Sequence, residues 1–335
     1  MAGFGERLAE HVQRRRSQVV LGLDPDPSRL WPGALAAIGP GDVGNREPGE
    51  VEAREPGEVE AREPGEVEAR EPAELAAAAV RSHCRLVLEA AAAECVAVKF
   101  QVACFERLGA PGWATLARLV GDAREHGLLV IADAKRGDID VSATAYGHAF
   151  FGGLRTPFGA VQGLEVDALT VSPLLGRDSV AAFVAAARGA QAGVFVLVRT
   201  SNPGAAEVQD QALAAGGSVS DGLAALVETL GADGTGPAGI SDVGAVVGAT
   251  VPEQLERLRA AMPTAPLLLP GVGAQGGSVA ALAPAFAPGA AGGLIAASRG
   301  IVYAFTGPGG GAPAAAARAE AARLRKLAWA LPRGE

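Results

Sequence analysis

The chain has 335 residues, of which 49% are hydrophobic and 4% aromatic, and its formal net charge at pH 7 is −8. This length allows one large or two small domains, and the apolar content is sufficient for a full core. Ten Glu and four Arg between residues 46 and 72 contribute −6 of that charge, so the rest of the chain is close to balanced. A nucleic-acid surface, which requires a basic field, is therefore not expected.

The sequence does not indicate a membrane-spanning or secreted protein. It has no unbroken run of 18 apolar residues, and its first residues lack a basic segment followed by an apolar one. The cysteines Cys84, Cys95 and Cys104 form no Cys-x-x-Cys pair, which argues against a disulfide framework or a zinc site. We therefore expect a cytoplasmic protein.

An eight-residue repeat, Arg-Glu-Pro-Gly-Glu-Val-Glu-Ala, runs three times from Arg46 and begins a fourth copy at Arg70. Its Pro-Gly pair is a strong turn signal, and a period of eight does not build an apolar stripe along a helix. We expect residues 46–72 to be a mobile insertion within a single domain that spans residues 1–335, with no role in the chemistry.

Outside the repeat, apolar β-rich runs alternate with Ala-, Leu- and Arg-rich stretches of helical character. Eight strands that alternate with helices predict an α/β fold, a (β/α)8 TIM barrel, with a doubly wound open sheet as the alternative. The predicted strands are 18–23, 95–100, 128–133, 167–172, 193–199, 242–248, 266–270 and 292–297. The predicted helices are 75–93, 113–126, 178–189, 221–230, 252–262 and 314–330.

Polar residues follow most of these strands, at the barrel end where such enzymes hold their chemistry. Asp133 and Lys135 are two apart on a strand and are expected to share a face. Gly137 is expected to let the chain turn, so that Asp138 reaches out sideways. The other polar strand ends are Asp24, Lys99, Ser172, the segment from Arg199 to Gly204, the segment from Pro270 to Gly277, and Ser298 with Arg299.

The last two strand ends predict a phosphate site. Barrel enzymes commonly bind phosphate through the loops after strands seven and eight, where backbone N–H groups are available. Gly271 and Gly273 permit a close backbone approach, Gln275 offers an amide donor, and Arg299 offers a planar fork that suits phosphate oxygens.

Lys99, Asp133 and Lys135 are expected to alternate in sign around one small volume. In such an array each group remains ionised, because each is flanked by the opposite charge. The carboxylate would disfavour a substrate carboxylate beside it, and an ammonium would stabilise a developing carbanion and deliver a proton. This chemistry requires no cofactor, and the sequence shows no obvious metal cluster.

These residues resemble the orotidine 5′-phosphate decarboxylase family, and in particular its longer bacterial branch. The signature Asp133-x-Lys135-x-x-Asp138 carries the resemblance most strongly. Further matching motifs are Gly22-Leu-Asp24-Pro, Val98-Lys99-Phe, Arg199-Thr-Ser-Asn-Pro-Gly, Pro270-Gly-Val-Gly-Ala-Gln275-Gly-Gly and Ser298-Arg299-Gly, which together span almost the full chain.

The resemblance implies decarboxylation of orotidine 5′-monophosphate to UMP in pyrimidine biosynthesis. It implies that Lys135 protonates C6 of the pyrimidine, that Asp133 faces the substrate carboxylate, and that Lys99 holds Asp133 and contacts the ribose. It further implies a homodimer in which Asp138 enters the partner's active site. The implied substrate contacts are Asp24 and Ser142 to the ribose, Ser201 to the pyrimidine, and Gln275 and Arg299, with Gly273 and Ser298 beside them, to the phosphate.

Several alternatives remain open at the level of sequence. Asp26 is close enough to Asp24 to take its place, and Thr144 is similarly close to Ser142. A magnesium-dependent phosphosugar decarboxylase or aldolase of the same suprafamily is the nearest rival, although Lys99 stands where those enzymes have an acidic residue. A non-catalytic phosphate-binding barrel is the rival from another class.

Overall fold

The computed structural model describes residues 2–37, 71–272, 277–307 and 309–331. Over these ranges the strands are β1 (Val19–Leu23), β2 (Ala97–Gln101), β3 (Leu129–Arg136), β4 (Leu154–Thr156), β5 (Gly159–Val161), β6 (Ala168–Val171), β7 (Gly193–Arg199), β8 (Val243–Val247), β9 (Leu267–Pro270) and β10 (Gly293–Ala297). The helices are α1 (Phe4–Arg15), α2 (Pro72–Ala91), α3 (Ala103–Glu106), α4 (Gly109–Glu125), α5 (Asp140–Phe151), α6 (Arg177–Gly189), α7 (Ala205–Val208), α8 (Val219–Gly231), α9 (Pro252–Ala261), α10 (Arg299–Val302) and α11 (Pro313–Trp329).

All the strands except β4 and β5 pair in parallel and close into a barrel, in the order β1-β2-β3-β6-β7-β8-β9-β10. Each predicted strand corresponds to one of these eight. An α-helix follows seven of them along the chain, and a 3₁₀ helix, Ala280–Phe286, follows β9. The (β/α)8 prediction is therefore confirmed, and the open sheet is wrong. The strands β4 and β5 form a separate antiparallel hairpin.

Successive side chains of a strand point to opposite faces of the sheet, and the buried apolar residues therefore form two clusters. One set of residues, such as Leu21 and Val98, packs outward against the helices. The neighbouring set, which includes Val20, Ala97 and Phe195, faces the barrel interior and packs with residues of α1. The ring of Phe4 on α1 meets that of Phe195 edge-on, with 6.0 Å between the ring centroids. The helix α1 thus closes the amino-terminal end of the barrel.

The same alternation brings charged residues into the barrel at the other end. Lys99 lies two residues beyond the inward-facing Ala97, and Asp133 lies two residues beyond the inward-facing Ile131. The polar side chains therefore stand above the apolar interior at the carboxyl ends of the strands, where the chemistry of barrel enzymes is found.

Several elements were not predicted from the sequence. The helix α1 carries a clear signal, because Phe4, Leu8 and Val12 recur at helical spacing and are all buried. The helix α5 and the β4–β5 hairpin are formed by a stretch whose sequence has no strong hydrophobic periodicity. The proposed insertion at 46–72 lies outside the described residues except for Glu71 and Pro72, where α2 begins.

Among the described residues, no helix combines the length and the apolar character that a membrane crossing requires.

Candidate active site

A cavity of about 570 Å³ opens at the carboxyl ends of the barrel strands. Its wall brings together residues that lie far apart in the sequence. Among them are seven of the predicted site residues: Asp24, Lys99, Asp133, Lys135, Ser201, Ser298 and Arg299.

Asp133 is the centre of a charged cluster in this cavity. Its Oδ2 accepts a hydrogen bond from Lys99 Nζ at 2.7 Å, and its Oδ1 accepts one from Lys135 Nζ at 2.6 Å. Lys99 Nζ also lies 3.7 Å from Asp24 Oδ1. The side chains of Lys99 and Asp133 are buried, whereas that of Lys135 is 44% exposed. The predicted alternation of charge is therefore present in one small volume.

Burial and ion pairing act in opposite directions on these groups. Burial alone would raise the pKa of Asp133, but the ammoniums of Lys99 and Lys135 overcome it and lower that pKa to about 2. Burial would likewise lower the pKa of Lys99, but the carboxylates of Asp133 and Asp24 raise it above the usual lysine value. Asp133 and Lys99 are therefore both ionised at neutral pH.

The backbone that carries the cluster leaves the regular strand geometry. The pairing of β3 with β6 breaks between Ala132 and Arg136, and Lys135 has a φ of 50° within this irregular segment. Simple alternation would therefore not by itself place Lys135 beside Asp133. Gly137, the expected turn residue, is not among the positive-φ residues and instead passes close to the backbone of Ser172, which a side chain would crowd.

Thr170 also belongs to the cluster, although the sequence pattern does not single it out. Its hydroxyl donates a hydrogen bond to Asp133 Oδ1 at 3.0 Å and accepts one from the backbone N–H of Lys135 at 2.9 Å. The polar strand end predicted from the sequence is Ser172, which lies just beyond β6. Thr170 could have been found from its position two residues after the inward-facing Ala168.

Asp24 and Asp26 have different surroundings in the structure. Asp24 lines the cavity and approaches Lys99. Asp26 accepts hydrogen bonds from the backbone N–H of Ser28 at 3.0 Å and from the Ser28 hydroxyl at 2.8 Å, so its carboxylate stabilises a local turn. This geometry favours Asp24 as the residue available to a ligand.

Ser201 lies on a segment that is fixed from two directions. Arg199, buried at the end of β7, forms a two-pronged ion pair with Asp210, with Nε–Oδ1 at 2.8 Å and Nη2–Oδ2 at 2.9 Å. Gln209 Oε1 accepts a hydrogen bond from the N–H of Thr200 at 2.8 Å. Arg199 and Thr200 thus tie the end of β7 to Asp210 and Gln209, just after α7. Residues on both sides of this connection line the cavity.

Another part of the cavity lining contains two of the residues predicted for the phosphate site, Ser298 and Arg299. Arg299, at the start of α10, is exposed to solvent and lines the cavity together with Ser298. Gly22 is required beside them, because a Cβ at this position would lie 2.7 Å from the Cβ of Ser298. Gly271 also lines the cavity and has a φ of 106°, which favours glycine. The predicted Gly273 and Gln275 lie outside the described residues.

Asp138 and Ser142 are not among the residues that line this cavity. Asp138 lies between β3 and α5, where its backbone carbonyl accepts a hydrogen bond from the Ser179 hydroxyl at 2.6 Å. Ser142 is exposed on the first turn of α5. Thr144, the alternative to Ser142, donates its hydroxyl to the carbonyl of Asp140 at 3.0 Å.

Comparison with known proteins is consistent with this geometry. Residues 41–315 match the model of the orotidine 5′-phosphate decarboxylase / HUMPS family. An orotidine 5′-phosphate decarboxylase of Rhodopirellula baltica is 45% identical over 68% of this chain and 74% of its own length. One of Deinococcus radiodurans is 45% identical over 65% of this chain and 75% of its own length. The structure of Leishmania donovani OMP decarboxylase superimposes with a TM-score of 0.67 at 28% identity, over 98% of this chain and 100% of the other.

Proposed function

The chain belongs to the orotidine 5′-phosphate decarboxylase family and decarboxylates orotidine 5′-monophosphate to UMP, and we propose that it uses the Lys99–Asp133–Lys135 cluster without a cofactor. The observation that carries this mechanism is the buried carboxylate of Asp133 between two ammoniums, in a cavity that Arg299 also lines. The cavity is therefore suited to a ligand that has a carboxylate at the end near the cluster and a phosphate at the end near Arg299.

In this mechanism the substrate carboxylate lies beside Asp133, where like charges repel each other. The bond from C6 to the carboxyl carbon breaks, carbon dioxide leaves, and the electron pair remains on C6. Lys135 then donates an Nζ proton to C6, which yields UMP, and its neutral amine regains a proton from solvent. The partial exposure of Lys135 supports that last step.

Lys99 has a different part in the proposal, because it is buried and bonded to Asp133. It keeps the Asp133 carboxylate ionised and in place, and it contacts the ribose together with Asp24. A charge array that is fixed before the substrate arrives needs no reorganisation during the reaction, which is the main source of electrostatic catalysis.

The remaining substrate contacts are those that the family resemblance implies, and Ser201, Ser298 and Arg299 among them line the cavity. Ser201 binds the pyrimidine, and Arg299 and Gln275 bind the phosphate, with Ser298 and Gly273 beside them. Binding energy from the remote phosphate offsets the cost of bringing one carboxylate against another at the reacting end.

We propose that the enzyme is a homodimer with shared active sites, in which Asp138 and Ser142 serve the partner's cavity. Neither residue lines the cavity of its own chain. Large apolar side chains are exposed just after Asp138 in the chain and just before α6, the helix whose Ser179 bonds to the Asp138 carbonyl. A second copy would cover them, which supports this arrangement. They are Ile139, Val141, Leu174 and Leu175.

The magnesium-dependent alternative is disfavoured by Lys99. Its ammonium already occupies Asp133 Oδ2 and approaches Asp24, so the carboxylates that would attract a divalent cation are neutralised. A non-catalytic barrel is disfavoured because three alternating charges converge in one cavity.

Two further expectations stand as proposals. Cytoplasmic localisation is supported by the three cysteines, all of which are free. The repeat at 46–72 is proposed to have no part in the chemistry, because every assigned site residue lies outside it.

The mechanism is tested by following the ultraviolet absorbance of orotidine 5′-monophosphate with protein treated with a chelator and then dialysed. We expect an undiminished rate, with UMP as the product. The Lys135→Ala variant, prepared in the same way, controls for a contaminating enzyme. Activity that disappears with the chelator and returns with magnesium would contradict the cofactor-free mechanism.

A further inference from the structure

We propose that Thr170 is a positioning residue for the decarboxylation, which aims Lys135 and fixes the carboxylate of Asp133 through a single hydroxyl group. The proposal rests on the roles assigned above to these two charged residues. It adds a neutral residue on a different strand to the catalytic cluster.

The hydrogen bonds of Thr170 determine the direction of its hydroxyl proton. A threonine hydroxyl has one proton to donate and two lone pairs to accept with. The Lys135 N–H, 2.9 Å away, is a donor only, so Thr170 Oγ1 accepts from it. The carboxylate of Asp133 is ionised and accepts only, so the hydroxyl proton points to its Oδ1, 3.0 Å away. Thr170 is 1% exposed, so water does not compete effectively for either bond.

The first bond supports an unusual backbone conformation. Lys135 has a φ of 50°, in the left-handed region that is strained for a residue other than glycine. It lies in the segment where the pairing of β3 with β6 breaks. The Thr170 hydroxyl gives the Lys135 N–H a partner within this irregular segment. It thereby stabilises the bend from which the lysine side chain returns to Asp133.

The second bond completes the coordination of the carboxylate. Asp133 Oδ1 accepts from both Thr170 and Lys135, while Oδ2 accepts from Lys99. With both oxygens held, the carboxylate cannot rotate when the substrate arrives. Without the hydroxyl, Lys135 loses a backbone anchor and Asp133 loses a donor, so the reacting groups are less well positioned at the bond-breaking step.

The test compares Thr170→Val, which keeps the shape but removes the hydroxyl, with Thr170→Ser, which keeps the hydroxyl. Because a small misplacement of catalytic groups can cost about 100-fold in rate, we expect Thr170→Val to lower kcat by roughly 10- to 100-fold. We expect KM for orotidine 5′-monophosphate to change by less than about threefold, since the phosphate contacts remain intact. Thr170→Ser should retain kcat within about threefold of wild type, because the hydroxyl is still present.

A matched control is Thr115→Val, which removes another buried threonine hydroxyl, bonded to the Ala77 carbonyl at 3.3 Å and remote from the cavity. Its kcat should equal that of wild type. If Thr170→Val does not fold, the pair Thr170→Ser and Thr170→Ala gives the same comparison, because these two variants differ only in the hydroxyl.

Three results would overturn the proposal: an unchanged kcat in Thr170→Val, an equal loss in Thr170→Ser, or a rise in KM at constant kcat. None of them affects the assignment of Lys135 as the acid, which the Lys135→Ala variant tests separately.

Discussion

Lys99 and Asp133 form an ion pair with 2.7 Å between Nζ and Oδ2, although they do not stand opposite each other in the sheet. In the register of β2 and β3, Lys99 is paired with Ile131, and Asp133 is paired with Gln101. The lysine side chain therefore reaches diagonally along the barrel axis. Its length allows the ammonium to meet the carboxylate in the cavity wall, while its aliphatic part stays among the strands.

This geometry makes the charge of Lys99, and not only its volume, necessary for activity. The Lys99→Met variant keeps the long apolar chain but removes the charge beside Asp133. We expect kcat/KM to fall by about 100- to 1000-fold, which is typical for the loss of a preorganised charge. Steady-state kinetics, with circular dichroism as the control for folding, measures the effect. A loss below tenfold would contradict the role assigned to Lys99.

Lys135 should be needed for proton transfer and much less for ligand affinity. In the Lys135→Ala variant we expect UMP formation to fall below detection, because no other ammonium is assigned to C6. UMP should still bind, since its phosphate contacts at Arg299 are untouched. Calorimetric titration with UMP beside product analysis separates the two effects, and retained turnover would remove Lys135 as the acid.

Arg299 should contribute through the phosphate of the substrate. The Arg299→Ala variant loses a charge-assisted pair that contributes about 2–4 kcal/mol to binding of the transition state. We therefore expect kcat/KM to fall by roughly 30- to 1000-fold. Orotidine, which lacks the phosphate, is the control substrate, and its slow turnover should change little. An equal loss with both substrates would show that Arg299 acts on the fold instead of on the phosphate.

The shared active site can be tested by mixing two inactive proteins. A dimer of one Lys135→Ala chain and one Asp138→Asn chain contains one intact site, if Asp138 acts across the interface. After unfolding and refolding an equal mixture, we expect about a quarter of the wild-type activity, because half of the dimers are mixed and each has one good site. Each variant refolded alone is the control. No recovery in the mixture would mean that Asp138 serves its own chain.

His83 should make the stability of the protein depend on pH. It is buried, its Nδ1 accepts a hydrogen bond from the Trp31 N–H at 3.0 Å, and burial lowers its pKa to about 4. Between pH 6.5 and 4 the unfolded chain binds the proton and the folded chain does not, so acid favours unfolding. We expect this group to remove about 3 kcal/mol from the free energy of unfolding between pH 7 and pH 4.

Urea unfolding of wild type and His83→Gln across this pH range measures the contribution of His83. The difference between the two proteins should shrink as the pH falls. The exposed His126, changed in the same way, is the matched control and should leave the wild-type dependence intact. A pH-independent difference for His83→Gln would exclude the linkage.

The sequence by itself was sufficient for the barrel and for much of the cavity wall. Apolar runs of strand length that alternate with helical stretches are a local signal, and parallel strands in a closed barrel necessarily bring their carboxyl ends together. Polar residues at those ends, such as Asp24, Lys99 and Arg299, could therefore be assigned to one site before any distance was known. The helix α1 could have been found as well, because the spacing of Phe4, Leu8 and Val12 is also a local signal.

Only the tertiary structure decided how the cluster is built. The left-handed φ of Lys135 and the hydrogen bonds of Thr170 depend on how β3 meets β6, and these strands are joined through α5 and the β4–β5 hairpin. A threonine in an apolar strand looks like an ordinary β-branched residue in the sequence. Its partners exist only after the strands have closed into a barrel, because a hydroxyl acquires its role from the donor and acceptor that it meets.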